Sequence, residues 1–398
     1  MQSTTKAFAT ALLMITCISI VVSACKKSST EPVVTNPVNN PTPVDAFAAL
    51  NIPATPFAYA NQQLPPYLTA PNILAQINTP ADNTITDWGA TLGRVLFYDK
   101  ILSINNSVSC ASCHKQTHGF SDDAVLSKGF NNGNTGRHSM SLVNAVYYSN
   151  RRFFWDERAG TLEQQVLMPI QDAIEMGMRL DTLINRLNSK THYPALFEKA
   201  FGDKSINTDR ISKALAQFVR SLVSYRTKFD TGFAAIPPGA NIGATNFANY
   251  TASENRGKAL YFSPQLACGA CHGTQTFTAP RSENNGLEAV FTDLGVGGVT
   301  NNTLNNGKFK VPSLKDIELT APYMHDGRFA TLEQVIEHYN SGVQANPNLP
   351  PQLRVPPPAT VVKRLNLTTQ DKADLLAFLK TLTDRGIATD AKFSNPFK

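Results

Sequence analysis

The sequence predicts a mainly α-helical protein built from two related domains. Apolar residues recur at helical spacing in both halves of the 398-residue chain, and convincing strand alternation is scarce. A cysteine motif with the spacing C-x-x-C-H occurs once in each half, at residues 110–114 and 268–272. The segments that precede the two motifs share a pattern, which indicates a diverged repeat with one motif per domain.

Length and charge limit the class of protein. A chain of this length exceeds one ordinary hydrophobic core, so two domains with appendages are expected. The formal net charge of +6 comes from scattered lysine and arginine residues. Because the sequence lacks basic runs with interleaved aromatic residues, we predict no nucleic-acid partner.

The N-terminus has the pattern of an export signal. Lys6 precedes an apolar run that ends at the small residues Ser23 and Ala24, and Cys25 follows. The pattern resembles a bacterial lipoprotein signal, in which the cysteine is acylated and becomes the first mature residue. We therefore predict a signal peptide over residues 1–24, lipidation of Cys25, and an exported, periplasmic protein held on a membrane by its lipid. An uncleaved anchor is the alternative, although the apolar run is short for a span of about 20 residues.

The composition of the segment after Cys25 is typical of a flexible tether. Residues 26–60 are rich in Pro, Asn, Thr and Ser, and they cannot bury a core. Order is therefore expected to begin near Trp88, and a Pro- and Gly-rich stretch at 233–250 separates the two halves. The predicted boundaries are 25–85 for the lipidated cysteine and flexible tether, 86–238 for the N-terminal domain, and 239–398 for the C-terminal domain.

The repeated pattern is a Gly-centred amphipathic turn, an aromatic-rich segment and the cysteine motif. It reads LGRVLFYDKILSINNSVSCASCH in the first half and RGKALYFSPQLACGACH in the second. Two further segments predict amphipathic helices. Residues 208–226 place one apolar face at Ile211, Leu215, Phe218, Leu222 and Tyr225. Residues 368–382 begin with Thr368 and Asp371 at capping-box spacing, followed by a stripe of Leu375, Phe378, Leu379 and Leu382.

The C-x-x-C-H motifs allow three kinds of chemistry. A zinc site needs four ligands close together, whereas the two motifs lie more than a hundred residues apart. A thioredoxin-type dithiol would open a helix in a βαβ unit, and strands are lacking. In a c-type haem site, both cysteines bind the porphyrin and the adjacent histidine is the proximal iron ligand. We therefore predict two covalent haem c groups, one held by Cys110, Cys113 and His114 and one by Cys268, Cys271 and His272.

Two segments carry a resemblance to a known family. They read FFWDERAGTLEQQVLMPIQDAIEMG at 153–177 and VPSLKDIELTAPYMHDGRFATLEQVIEHYNSG at 311–342. From about Trp88 to Asp384 the chain resembles the bacterial di-haem cytochrome c peroxidases and their relative, the oxidase MauG. The resemblance implies two cytochrome c-type haem domains packed side by side, with long irregular loops. It also implies that peroxide reacts at the N-terminal haem, while the C-terminal haem feeds or stores electrons.

The resemblance assigns roles to four residues. Glu175 matches the active-site glutamate, which moves a proton between the two peroxide oxygens, and Gln165 and Pro169 match pocket residues beside it. Trp155 matches the tryptophan between the haems. Considered alone, a carboxylate near haem could accept and then donate a proton, and apolar neighbours would raise its pKa. A solvated surface carboxylate is the alternative for Glu175.

Two positions near the haem irons depart from the conventional peroxidases. Phe130 stands near the site of a histidine that caps the peroxidatic iron in resting members, so the N-terminal haem should be open unless His118 or His138 replaces that ligand. Conventional peroxidases have an axial methionine at the position of Tyr339, whereas MauG has a tyrosine there, as this chain does. A phenolate ligand disfavours the reduced iron that a methionine ligand favours. His338 and Met324 are rival ligands, and core packing is a further alternative for the tyrosine.

The resemblance also implies one calcium ion between the haems. Thr320 and Pro322 match backbone contributors to that site. However, the asparagine that supplies a ligand in peroxidases aligns roughly with His138, and calcium prefers oxygen ligands.

These observations together predict an exported peroxidase that reduces hydrogen peroxide to water. Its electrons would come from a small redox protein such as a cytochrome c or a cupredoxin, and the prediction allows a homodimer. One alternative is a MauG-type oxidase, which stores oxidising equivalents across both haems and withdraws electrons from a partner protein. Another is a pure electron carrier in which both irons have two strong protein ligands.

Overall fold

The structure is a computed structural model that describes residues 45–273, 275–355 and 361–398. The predicted signal peptide at 1–24 and the predicted lipidation site, Cys25, lie outside the described residues. No helix in these ranges is long and apolar enough to cross a membrane.

The described chain is mainly helical, as predicted. One two-stranded antiparallel sheet is present in the described ranges, formed by β1 (Ser282–Glu283) and β2 (Phe309–Lys310). The helices of the first half are α1 (Pro71–Leu74), α2 (Asp87–Tyr98), α3 (Cys110–Cys113), α4 (Leu162–Gln165), α5 (Met168–Gln171), α6 (Leu180–Asn188), α7 (His192–Phe201), α8 (Thr208–Ser221) and α9 (Lys228–Ala234). Those of the second half are α10 (Ala252–Phe262), α11 (Cys268–His272), α12 (Val296–Thr300), α13 (Leu332–Glu337) and α14 (Thr369–Lys380). Long irregular segments connect them.

Each half is organised around one pair of crossing helices. At Gly93 of α2, a Cβ atom would lie 2.0 Å from the carbonyl oxygen of Ala214 in α8. At Gly257 of α10, a Cβ atom would lie 1.8 Å from the carbonyl oxygen of Asp374 in α14. Only glycine permits these contacts, because any other side chain would overlap the partner backbone. The central glycine of each sequence repeat is therefore the point where its two helices touch.

The predicted apolar faces are buried at these crossings. In α8 the residues at helical spacing are Ile211, Leu215, Phe218 and, directly after the helix, Leu222, and all four are buried. Tyr225 lies beyond the helix and packs on a smaller satellite cluster. In α14 the side chains of Thr368 and Asp371 form the predicted capping box, and the apolar stripe is buried.

The two halves have separate hydrophobic cores, whose limits differ from the predicted boundaries. The second core begins at Phe229 in α9, before the predicted boundary at 238/239. Part of the predicted tether is also packed, because Leu50 and Tyr59 are buried in the first core. A Pro-rich segment cannot build a core, yet single apolar side chains from it can dock on a helical surface that is already formed.

The end of the chain returns to the first core. Ile387 and Phe393 are buried there, although their sequence positions placed them in the C-terminal domain. Two side chains of α2 bind this tail: Nη1 of the buried Arg94 donates to the carbonyl of Ala391 at 2.8 Å, and the hydroxyl of the half-buried Tyr98 donates to the carbonyl of Phe393 at 2.7 Å.

Candidate functional site: two cavities centred on the C-x-x-C-H motifs

The first motif faces a cavity of about 430 Å³ in the N-terminal half. Cys110 and Cys113 lie at the two ends of α3, and His114 follows directly. Nδ1 of His114 lies 3.0 Å from the carbonyl oxygen of Phe120. This contact fixes the ring and leaves Nε2 available to a metal. Burial lowers the pKa of His114, so the ring is in the neutral form that binds iron.

The second motif repeats this arrangement around a cavity of about 230 Å³. Cys268, Cys271 and His272 lie on α11 and line the cavity. Nδ1 of His272 lies 3.2 Å from the carbonyl oxygen of Pro312, and burial lowers the pKa of His272 to about 4. Both histidines are therefore neutral and oriented by a backbone carbonyl.

The thiols have the environment of covalent attachment sites. Burial raises the pKa of Cys110 and of Cys268 to about 12, so both are protonated thiols at neutral pH. Across the described ranges, no group of three or more His, Cys, Asp or Glu side chains could hold a metal ion. Two thiols, a neutral histidine and an enclosed cavity fit a covalently bound haem in each half.

The predicted proton-transfer residues line the first cavity together with its motif. Gln165 ends α4, Pro169 lies in α5, and Glu175 lies in the turn that follows α5. Oδ1 of Asp172 accepts the backbone N–H groups of Ile174, at 2.8 Å, and Glu175, at 3.0 Å, which fixes this turn. Burial, with a smaller contribution from the Asp172 charge, raises the pKa of Glu175 to about 7. This carboxyl can therefore exchange a proton near neutral pH.

Phe130 supports this turn and does not line the cavity. Its backbone N–H donates to the carbonyl of Glu175 at 2.9 Å, and its ring lies against Gly177. The two alternative histidines are also placed unfavourably for iron. His118 does not line either cavity, and its Nε2 lies 3.9 Å from Oδ2 of Asp123. His138 lines both cavities, but both of its ring nitrogens already have hydrogen-bond partners.

Trp155 lies on the wall of both cavities. Its Nε1 donates to the carbonyl of His138 at 2.8 Å, and its own carbonyl accepts the backbone N–H of Lys310 at 2.7 Å. The indole is thus held between the two motif sites, in a position suited to electron transfer between them.

Tyr339 faces the second cavity. It lies in a π-helical turn, His338–Gly342, that continues α13. The side chain of Asn285 interacts with the phenol of Tyr339, and its amide donates at 3.3 Å to Sδ of Met324, which lines the same cavity. Burial raises the pKa of Tyr339. His338 is turned away, because its Nε2 lies 2.9 Å from the carbonyl oxygen of Asn285 and its ring does not line the cavity.

Thr320 and Pro322 also line the second cavity, and the Ala321–Pro322 peptide bond is cis. The Thr320 hydroxyl donates to the carbonyl of Ile317 at 3.3 Å. Calcium at this position stays a prediction.

Two residues at these cavities, Asn285 and Lys310, are not predicted from the sequence. Asn285 has no sequence signal, because its contacts come from segments about 40 and 50 residues away. Lys310 has a weak sequence signal, since it lies between the apolar residues Phe309 and Val311.

Comparison with known proteins agrees with this geometry. The profile of the di-haem cytochrome c peroxidase family matches residues 88–235. The methylamine utilization protein MauG of Methylorubrum extorquens is 36% identical over 306 residues, which cover 76% of this chain and 80% of that protein. The chain belongs to this family. The predicted resemblance is confirmed, and the family implies two haem c groups and an oxidoreductase of the peroxidase class.

Two further relatives show the range of this di-haem family. The cytochrome c551 peroxidase of Nitrosomonas europaea is 31% identical, over 74% of this chain and 79% of its own length. The crystal structure of a MauG-like protein associated with microbial copper homeostasis superimposes with a TM-score of 0.69 at 31% identity, over 84% of this chain and 99% of that protein. Both functional branches of the family are therefore represented among its relatives.

Proposed function

We propose that the protein reduces hydrogen peroxide to water at the N-terminal cavity, with electrons from a small redox protein such as a cytochrome c or a cupredoxin. The observation that carries the proposal is the position of Glu175, a half-buried carboxyl with a pKa of about 7 in the same cavity as the first motif. The reaction consumes two electrons and two protons for each peroxide and releases two water molecules.

The chain's own residues supply the proton handling. The Glu175 carboxylate accepts a proton from the bound peroxide and returns it to the departing oxygen, so it must be ionised when the substrate arrives. Gln165 and Pro169 limit the space around the substrate. The haem supplies the iron that binds peroxide, and Trp155 offers a path for electrons from the second site.

The proposal assigns the covalent haem attachments to the two motifs, with His114 and His272 as proximal iron ligands. Mass spectrometry of the mature protein is expected to show two covalent haems. Replacement of both Cys268 and Cys271 by alanine should remove one of them and leave the other. A parent mass equal to the bare polypeptide plus metal ions would contradict the assignment.

Two further features belong to the same proposal. The lipoprotein-like sequence at residues 1–25 supports a periplasmic protein anchored through Cys25. The family resemblance supports one calcium ion near Thr320 and Pro322.

A MauG-type oxidase is the second candidate function. The observation that favours it is Tyr339, whose phenol faces the second cavity. Steady-state peroxide turnover with ferrocytochrome c, followed together with the optical and EPR spectra, separates the two. Rapid donor oxidation supports the peroxidase, whereas poor donor turnover with a long-lived oxidised spectrum supports the oxidase.

Replacing Tyr339 by methionine is expected to raise the reduction potential of the C-terminal haem, because a neutral thioether favours ferrous iron more than a phenolate does. Spectroelectrochemical titration measures this change. Tyr339→Phe is the matched control, since it keeps the ring and removes the oxygen, and it should open that iron to exogenous cyanide. If the spectrum and potential stay at parental values in both variants, Tyr339 serves only in packing.

A further inference from the structure

Lys310 is a buried lysine without an anionic partner. It lies on β2, its side chain is buried, and it lines both cavities. The described ranges contain two other buried lysines, and both are satisfied: Lys315 forms an ion pair with Asp230, and Lys258 donates to backbone carbonyls. The Lys310 ammonium has no ion pair or hydrogen bond within the same ranges, and it lies 3.9 Å from the centre of the Tyr148 ring.

A buried ammonium in this state is costly. The free-energy cost of removing a charge from water is compensated only by an opposite charge or by several hydrogen bonds, and contact with an aromatic face offsets only part of this cost. Burial accordingly lowers the pKa of Lys310 to about 8. The Glu157 charge offsets a smaller part of this effect and forms no ion pair with Lys310. Its carboxylate accepts from the Tyr148 hydroxyl and, at 3.1 Å, from the Asn150 amide.

The position of Tyr148 shows which cavity the ammonium faces. Tyr148 lines the N-terminal cavity and is not part of the wall of the second one. The Lys310 backbone is fixed by its hydrogen bond to the carbonyl of Trp155. The charged end of the side chain is therefore presented to the cofactor site of the N-terminal half, although the residue itself belongs to the second half of the chain.

We propose that the Lys310 ammonium binds a propionate carboxylate of the N-terminal haem. Haem carries two propionates on an otherwise apolar ring, and a propionate directed into the interior requires a cation or hydrogen-bond donors. The proposal rests on the haem site proposed at Cys110, Cys113 and His114, and it is independent of whether the enzyme acts as a peroxidase or an oxidase. The cation would also favour the reduced iron, because reduction adds negative charge nearby.

The test is a potentiometric titration of the two haems in the purified holoprotein and in Lys310→Met, which keeps the length and apolar stem of the side chain. At the parental midpoint potential of the N-terminal haem, the ferric-to-ferrous ratio of that haem is expected to rise about tenfold or more in the variant. The variant should also make this potential depend on pH near neutrality, because the unpaired carboxylate binds a proton more readily.

Two comparison variants complete the experiment. Lys308→Met, two residues away and outside both cavity walls, should leave both potentials unchanged, and Lys310→Arg should restore the parental potential. An unchanged N-terminal potential in Lys310→Met with both haems attached would overturn the proposal, and so would a shift confined to the C-terminal haem. If Lys310→Met loses the N-terminal haem, recovery of that haem in Lys310→Arg supports the ion pair and its continued loss refutes it. Absence of haem at Cys110 in the parent protein would instead overturn the proposed cofactor site.

Discussion

A Glu175→Gln variant is expected to react with hydrogen peroxide about 100-fold more slowly than the parent protein, or slower still. Glutamine has the size of glutamate but cannot accept a proton, and loss of a general acid–base group usually costs two or more orders of magnitude. The Glu175 backbone is held by Asp172 and by Phe130, so the substitution should leave the turn intact. Stopped-flow mixing of peroxide with the ferric protein measures the rate.

The pH dependence follows from the same carboxyl. Because burial raises the pKa of Glu175 to about 7, the ionised form that accepts the first proton increases as the pH rises through 7. The parent rate should therefore increase from pH 6 to pH 8, whereas the Glu175→Gln rate should lack this step.

Glu198→Gln provides the matched control, since Glu198 is an exposed residue of α7 and does not line either cavity. The control should react at the parental rate with the parental pH profile. A Glu175→Gln protein that retains both haems and reacts at the parental rate would remove Glu175 from the proposed mechanism.

Replacing Gly257 by alanine is expected to destabilise the second half by about 3 kcal/mol or more. The new Cβ would lie 1.8 Å from the carbonyl oxygen of Asp374, so α10 and α14 must separate along the contact that organises this half. For a domain of this size the change corresponds to a decrease in Tm of roughly 10 °C. Thermal unfolding followed by circular dichroism measures it.

The control for this substitution is Gly298→Ala. Gly298 lies in α12, and its nearest neighbour would be Cβ of Leu294 at 3.4 Å, an ordinary contact distance. Its Tm should stay within about 2 °C of the parent, in line with the small effect of most surface substitutions. Equal melting temperatures for Gly257→Ala and the parent would show that the helix pair can shift without cost.

Local patterns predicted the parts of the site that depend on neighbouring residues. The C-x-x-C-H spacing identified the two motifs that line the cavities, and the Thr368–Asp371 spacing predicted the capping box that the structure contains. Phe130 shows where such patterns fail. The sequence indicated only that it cannot bind iron, whereas its contact with the Glu175 turn depends on how a distant loop folds back.

The role of Lys310 and the packing of residues 45–85 could not be predicted from the sequence for a related reason. A single apolar residue such as Tyr59 in a Pro-rich stretch gives no periodic signal, yet it is buried against helices that other parts of the chain provide. The missing information in these cases is long-range packing, which neither composition nor periodicity records.

The return of the chain's end to the first core affects the order in which the protein matures. Ile387 and Phe393 are synthesised after every residue of the second core, and the first core is incomplete until they pack beside α2. The second core ends at Leu382 and does not depend on them. The half that is synthesised first is therefore the half that finishes folding last, and its cavity reaches final form only after the second half has been synthesised.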